Sequence, residues 1–325
     1  MNIEVAQDEP VNEKKMKETN SKPIRTNSLQ AWLLASRPKT LSGALAPIVI
    51  ATALAQADGG MRPAVALLCA AFALLMQVAA NLINDYFDYV KGTDGEDRLG
   101  PERAMAQGWI TAKAMRWGIF INILIAAAVG LALAYITIIG FQGDTATLWL
   151  VLIGLGAACV SGAFFYTLLM SYIGLGDVLV WLFFGLIPVT ATYFAQTHTL
   201  TLPVWLAAVA CGLVIDTLLV LNNYRDRDTD RAAQKHTLVS VFGERFGSYF
   251  YFIQGVVGCA LVYVLSYMGY PVARLVVFYL YFHLTTWQLM VKIHNGRELN
   301  RVLGLTARNI LIFGLLFAVG VLLKN

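Results

Sequence analysis

Charge is scarce in this 325-residue chain. Asp, Glu, Lys and Arg together make up 14% of it, while hydrophobic residues make up 58%. A soluble domain carries about 25% charged and 45–50% apolar residues, so this composition excludes an ordinary soluble globular protein and points to the membrane. Cysteine is scarce as well. Cys69, Cys159, Cys211 and Cys259 stand singly in apolar runs, with no C-x-x-C between them. That excludes a disulfide framework or zinc site and leaves four small core residues. The four histidines (His198, His236, His283 and His294) form no ligand cluster. The first 36 residues lack any apolar run, so they read as a polar, disordered tail rather than a cleavable signal peptide.

What the chain has instead is length of apolar sequence. Nine runs are near the ~20 residues needed to cross the hydrocarbon core: 40–57, 64–88, 114–138, 146–168, 173–195, 203–223, 247–267, 272–292 and 302–323. Only helices and closed barrels satisfy their backbone in lipid, and continuous runs are not the alternating strands of a barrel. The expected fold is therefore all-α, a polytopic membrane bundle over residues 37–325 behind the tail at 1–36. With nine spans, 21 of the 24 Lys and Arg fall on one side, leaving Arg62, Arg274 and Lys324 on the other. That asymmetry predicts a cytoplasmic N-terminus. It also accounts for the net charge of +4 without a nucleic-acid partner.

Two stretches break the apolar pattern. NLINDYFDYVKGTD (81–94) ends the second span and NNYRDRDTDRAAQK (222–235) ends the sixth. Their corresponding places suggest a duplicated helical unit. At 100° per residue, Asn81, Asn84, Asp85 and Asp88 share an arc of about 100°, and Asn222, Asp226 and Asp230 one of about 80°. Each set points one way, into a shared cavity. Gly92 and Gly95 are placed to end the first helix and turn Asp94 back towards it. Carboxylates converging at a membrane face repel one another unless cations lie between them. Hard oxygen ligands suit Mg²⁺, which takes one or two carboxylates and completes its shell with water and phosphate oxygens. Lys91, Arg98, Arg103, Arg225 and Lys235 are the complementary bases for a diphosphate. Asp97, Glu102, Arg227, Asp228 and Glu244 read as loop charges that pair with one another.

These stretches resemble the two aspartate-rich motifs of the UbiA superfamily of intramembrane prenyltransferases. SRPKTL (36–41), RLGPERAMAQGWIT (98–111), YIGLGD (172–177) and HTLVSVFG (236–243) are similar to its MenA branch, and the likeness runs from Arg37 onward. The resemblance implies a nine-helix bundle around a central cavity opening sideways to lipid, in a bacterial cytoplasmic membrane. It implies transfer of a polyprenyl chain from its diphosphate to 1,4-dihydroxy-2-naphthoate, with loss of CO₂, giving demethylmenaquinone. Asn84, Asp88, Asp226 and Asp230 match the family's Mg²⁺-diphosphate ligands, with Asn222 and Asp94 as companions.

The chain departs from the family pattern at three points. Gly92 stands where other branches often carry Asp. The 166–177 segment is short, so a diphosphate contact made there falls to another base, such as Arg37 or Lys39. Gln234 replaces a common Gly. For the acceptor or prenyl pocket the candidates are Asn81, Asp85, Tyr86, Tyr166, Asp177 and Tyr224. Aromatic faces, Phe87 included, would stabilise a cation-like carbon and exclude water. Asp177 either orients the acceptor or a basic residue, or simply sits at a helix N-terminus. Asp216, inside the sixth span, is expected to face the cavity or a polar partner. Rival readings are a related enzyme for 4-hydroxybenzoate or homogentisate, and a cation-coupled transporter. The transporter predicts mid-membrane acids on broken helices, whereas these acids cluster at one face.

Overall fold

The computed structural model describes residues 24–92, 99–165 and 174–323. Among them the chain is helical, with no strand. A short helix, α1 (Leu29–Ala35), precedes α2 (Leu41–Ala57), α3 (Pro63–Lys91), α4 (Ala112–Ile138), α5 (Thr145–Phe165) and α6 (Gly176–Thr197). Then come α7 (Leu202–Ala232), α8 (Leu238–Leu265), α9 (Phe278–Ile293), entered through a tight turn of helix at Pro271–Val277, and α10 (Leu299–Leu322). Seven of these, α3 to α8 and α10, are long and apolar enough to cross a membrane. At 17 residues α2 is about 26 Å long, and α9 with its lead-in covers 271–293. The nine expected spans thus correspond to α2 through α10.

Helix ends follow local chemistry. Thr111 and Thr237 cap α4 and α8 by accepting from Ala114 N and Ser240 N, and Pro63 opens α3 where no amide donor is needed. Gly92 closes α3 in the left-handed conformation (φ 68°). In α6, Pro188 cannot donate to the Phe184 carbonyl, and the helix widens to a π turn over Trp181–Leu186. Just there Gly185 meets Gly212 of α7, so closely that a Cβ would run into the α7 backbone. Small residues at a helix crossing are the usual means of close packing in lipid.

Two helices outrun the bilayer. α3 has 29 residues and α7 has 31, about 44 and 46 Å, against a hydrocarbon core of about 30 Å. The expected sixth span, 203–223, is therefore too short: the helix continues unbroken through Asp226 and Asp230 to Ala232. α7 packs against α2, α6, α8 and α10, while α3, α4 and α5 pack together, and α2 touches both groups. The acid-bearing ends of α3 and α7 lie at the same end of this assembly, because the Leu99 carbonyl and Arg225 share one partner, Asn300.

Candidate active site

The stripe on α3 divides into two pairs with different work. Asn81 is buried and its amide donates to the Ser36 carbonyl (2.8 Å) and Thr40 Oγ1 (3.1 Å), while Gln77 donates to it. It fastens the SRPKT segment to α3. Asp85 is 1% exposed and accepts from the backbone of Ala104 (3.1 Å) and Met105 (3.4 Å), fastening the segment after the first motif. These contacts assign Asn81 and Asp85 to holding backbone rather than to lining a substrate pocket. Asp88, one turn on and partly exposed, takes an ion pair from Arg103 at 2.6 Å. Asn84 shares its side of the helix and is half-buried. Lys91 closes the last turn, exposed. Asp94 and Arg98 lie outside the described residues.

The second stripe is built the same way. Arg225 holds both carboxylate oxygens of Asp226, Nε to Oδ1 at 2.7 Å and Nη2 to Oδ2 at 2.6 Å, the fork geometry that guanidinium prefers. Asp230, one turn further and buried, faces Lys235 at 3.6 Å. Asn222 is half-buried one turn before Asp226. The turn after α7 carries Gln234 at φ 54°, and Lys235 N donates to the Asp230 carbonyl at 2.8 Å, which keeps the lysine near its acid. A side chain with a Cβ is strained there by about 1–2 kcal/mol. Gln234→Gly is expected to raise stability by about 1 kcal/mol, read as a higher thermal midpoint in detergent with turnover unchanged.

Tyr224 requires a correction. It lies about 160° around the helix from Asp226, packs with Val239, Tyr251, Met290 and Val302, and donates to Glu244 at 2.9 Å. Arg227 stacks on its ring and pairs with Glu244 at 3.1 Å. This side of α7 faces α8 and α10 and cannot line a pocket in front of Asp226. Arg227 and Glu244 pair as expected, and Asp228 meets Arg231 at 3.7 Å, but these charges lie on helices α7 and α8 rather than in a loop, and Arg227 is buried. Tyr86 and Phe87 are half-buried in edge-on contact beside the first motif, with Phe164 next to Phe87. Tyr166 lies outside the described residues.

Two other acids lie deeper. Asp177 occupies the first turn of α6 and is buried. It lies beside Asp216, which is fully enclosed and accepts from the Gln254 amide. Asp216 thus faces polar partners between α6, α7 and α8. A cavity of about 310 Å³ runs along α2 from Leu45 to Gln56, bordered by Ala70, Ala318 and Leu322, with an almost wholly apolar wall. At the opposite end of the bundle from the motifs, the Tyr193 and Tyr270 hydroxyls both donate to Asp58 at 2.8 Å beside a cavity of about 430 Å³. Burial, together with the Asp58 charge, holds the Tyr270 phenol above its ordinary range.

Among the described residues no three carboxylates, imidazoles or thiols come together closely enough to hold a metal by themselves. Residues that sequence reasoning missed are Asn300, Gln254 and the Ser36–Thr40 acceptors of Asn81. Asn300 and Gln254 stand in no motif, while Ser36 and Thr40 belong to SRPKTL, whose role as an anchor for Asn81 the motif itself does not reveal. For Asn300 and Gln254 the only signal is a polar residue at a helix end or within an apolar span.

Comparison with known proteins gives the same architecture. Residues 44–311 match the UbiA prenyltransferase family. The chain is 42% identical over 221 residues to the 1,4-dihydroxy-2-naphthoate octaprenyltransferase of Escherichia coli strain K12, covering 66% of this chain and 69% of that one. It is 32% identical over 317 residues to the protein of the same name from Haemophilus influenzae, covering 93% and 99%. A solved structure of a digeranylgeranylglyceryl phosphate synthase superposes with a TM-score of 0.56 at 17% identity, covering 90% of this chain and 98% of that one, a likeness of fold. The chain belongs to the UbiA prenyltransferase family.

Proposed function

We propose that this protein transfers a polyprenyl chain from polyprenyl diphosphate to 1,4-dihydroxy-2-naphthoate, releasing diphosphate and CO₂ and giving demethylmenaquinol, the reduced form of demethylmenaquinone. The observation that carries the reading is the pairing of the two stripes. Each long helix ends with an aspartate held by an arginine (Asp88 with Arg103, Asp226 with Arg225), and both ends face one side of the bundle. The nature of the acceptor follows the names of the two bacterial relatives. The side rich in Lys and Arg is taken as the cytoplasmic face of a bacterial membrane.

The donor set fits Mg²⁺ in kind. Asn84, Asp88, Asn222, Asp226 and Asp230 offer only oxygen or amide ligands at this face. Their dispersal into acid–base pairs suits an ion that takes one or two carboxylates and completes its shell with phosphate oxygens. Bound with the diphosphate, Mg²⁺ supplies positive charge to the leaving group. Arg103, Arg225, Lys91 and Lys235 present donors to the oxygens that gain charge as the allylic C–O bond breaks and its electron pair leaves with diphosphate. Tyr86 and Phe87 exclude water from the cation-like carbon. The ring carbon bearing the carboxylate attacks, and loss of CO₂ returns its bonding pair to the ring. No ring proton is removed, so no base is needed at that carbon. The apolar cavity along α2 suits the polyprenyl tail.

The test is mass spectrometry of the product formed by purified protein from a polyprenyl diphosphate and each aromatic acceptor. Demethylmenaquinol from the naphthoate is expected. Product from 4-hydroxybenzoate alone would overturn the choice of acceptor. Chelation with EDTA is expected to abolish turnover and added Mg²⁺ to restore it, and full activity after exhaustive chelation would remove the metal from the scheme.

A further inference from the structure

Asn300, in the first turn of α10, uses both ends of its amide. Its Oδ1 accepts from Arg225 Nη1 at 2.7 Å and its Nδ2 donates to the Leu99 carbonyl at 2.7 Å. These partners belong to the two halves of the site. Arg225 holds Asp226 with its other two nitrogens. Leu99 opens the segment that, four residues on, carries Arg103 to Asp88. A chain of contacts therefore runs from Asp226 through Arg225 and Asn300 to the Leu99 backbone, and from there along the segment to Arg103 and Asp88.

We infer that Asn300 is a positioning residue that holds the two aspartate motifs in register for one diphosphate. This deepens the reading above and rests on both motifs meeting the same headgroup. The chemistry requires an amide. One planar group must accept from a guanidinium and donate to a carbonyl, which neither a carboxylate nor an alkyl chain does. Arginine has several rotatable bonds. With Nη1 held by Asn300, its Nε–Nη2 edge is aimed at Asp226, so the carboxylate position is set from α10. At the other end, the Asn300 donor restrains the segment whose Ala104 and Met105 amides rest on Asp85. A displacement of about 1 Å between such groups is enough to cost on the order of 10²-fold in rate.

The experiment compares the full-length protein with Asn300→Leu and Asn300→Gln in detergent. Three readouts are Mg²⁺-dependent binding of inorganic diphosphate by calorimetry, amide hydrogen exchange, and KM for each substrate. Asn300→Leu is expected to weaken diphosphate binding and raise the KM for polyprenyl diphosphate by about ten-fold or more, the scale of one lost charge-assisted hydrogen bond. The KM for the aromatic acceptor stays unchanged. Exchange rises in 99–107 and stays level in α8. Asn300→Gln, with both groups on a longer stem, recovers part of the diphosphate affinity. Wild-type diphosphate binding and wild-type exchange at 99–107 in Asn300→Leu would overturn the inference. So would a loss shared equally by both substrates with exchange rising throughout the bundle and no recovery in Asn300→Gln. Should the wild type bind diphosphate yet form no naphthoate product, the proposed reaction fails, while the binding and exchange arms still decide the role of Asn300.

Discussion

Asp226→Asn is expected to lower kcat/KM for the polyprenyl diphosphate by roughly 10²–10³-fold, the scale on which a single preorganised charge contact acts in a transition state. The thermal midpoint should move by only a few degrees. In the structure both oxygens of Asp226 are occupied by Arg225, and the side chain keeps 29% of its exposure. An amide at this position still accepts one hydrogen bond from the guanidinium, so the fold loses little. What disappears is the negative charge that a Mg²⁺–diphosphate complex requires. Asp226→Ala is the harsher variant, because it leaves Arg225, buried to 3% exposure, with no carboxylate. Its loss of activity therefore includes some loss of stability. Asp88→Asn is expected to behave like Asp226→Asn, since Asp88 has the corresponding arginine pair. Steady-state kinetics beside a thermal melt in the same detergent separate the two effects. Turnover near the wild-type rate in either asparagine variant would remove that aspartate from the site.

Asp85→Ala has the other large expected effect, of a different kind. This carboxylate lies 40° around α3 from Asn81 by helical geometry, on the stripe that also carries Asp88. Its oxygens, however, accept from the buried amides of Ala104 and Met105. Removing the acceptor leaves those N–H groups enclosed without it, at about 1–3 kcal/mol for such a group. A destabilisation of about 3 kcal/mol is expected, together with loss of activity as Arg103 loses its placement opposite Asp88. The measurement is denaturant or thermal unfolding in detergent, paired with activity at a temperature where the variant is still folded. If Asp85→Ala unfolds as the wild type does and loses only catalysis, then Asp85 belongs with Asp88 at the substrate, and the backbone contacts are incidental.

These two aspartates mark how far the sequence could be read. The arc of Asn81, Asn84, Asp85 and Asp88 follows from 100° per residue, and the stripe does face one way. The same arithmetic cannot separate Asp85 from Asp88, because both lie within that arc. The partners that distinguish them, two backbone amides for one and a guanidinium for the other, come from a segment 15 to 20 residues further along the chain. Tyr224 was legible and was misread: a residue two positions before Asp226 points to the other side of a helix. Asn300 had no local sign beyond being a polar residue at a helix end, since its partners are 75 and 201 residues away in sequence. Gln234 was legible as a departure from a common glycine, and its positive φ is the physical reason glycine suits that turn.

By itself the sequence determined the helical membrane bundle, the approximate places of its long apolar helices and the helix ends that carry the acids. Hydrophobic transfer and helical period act residue by residue along a single segment, and the bilayer allows one regular answer to a run of about 20 apolar residues. Tertiary structure alone decided which oxygen meets which base. Asp88 against Arg103, Asp226 against Arg225 and Asn300 between the halves are contacts between segments, set by how α2, α3, α7 and α10 settle on one another. No periodicity within one helix encodes the distance to another.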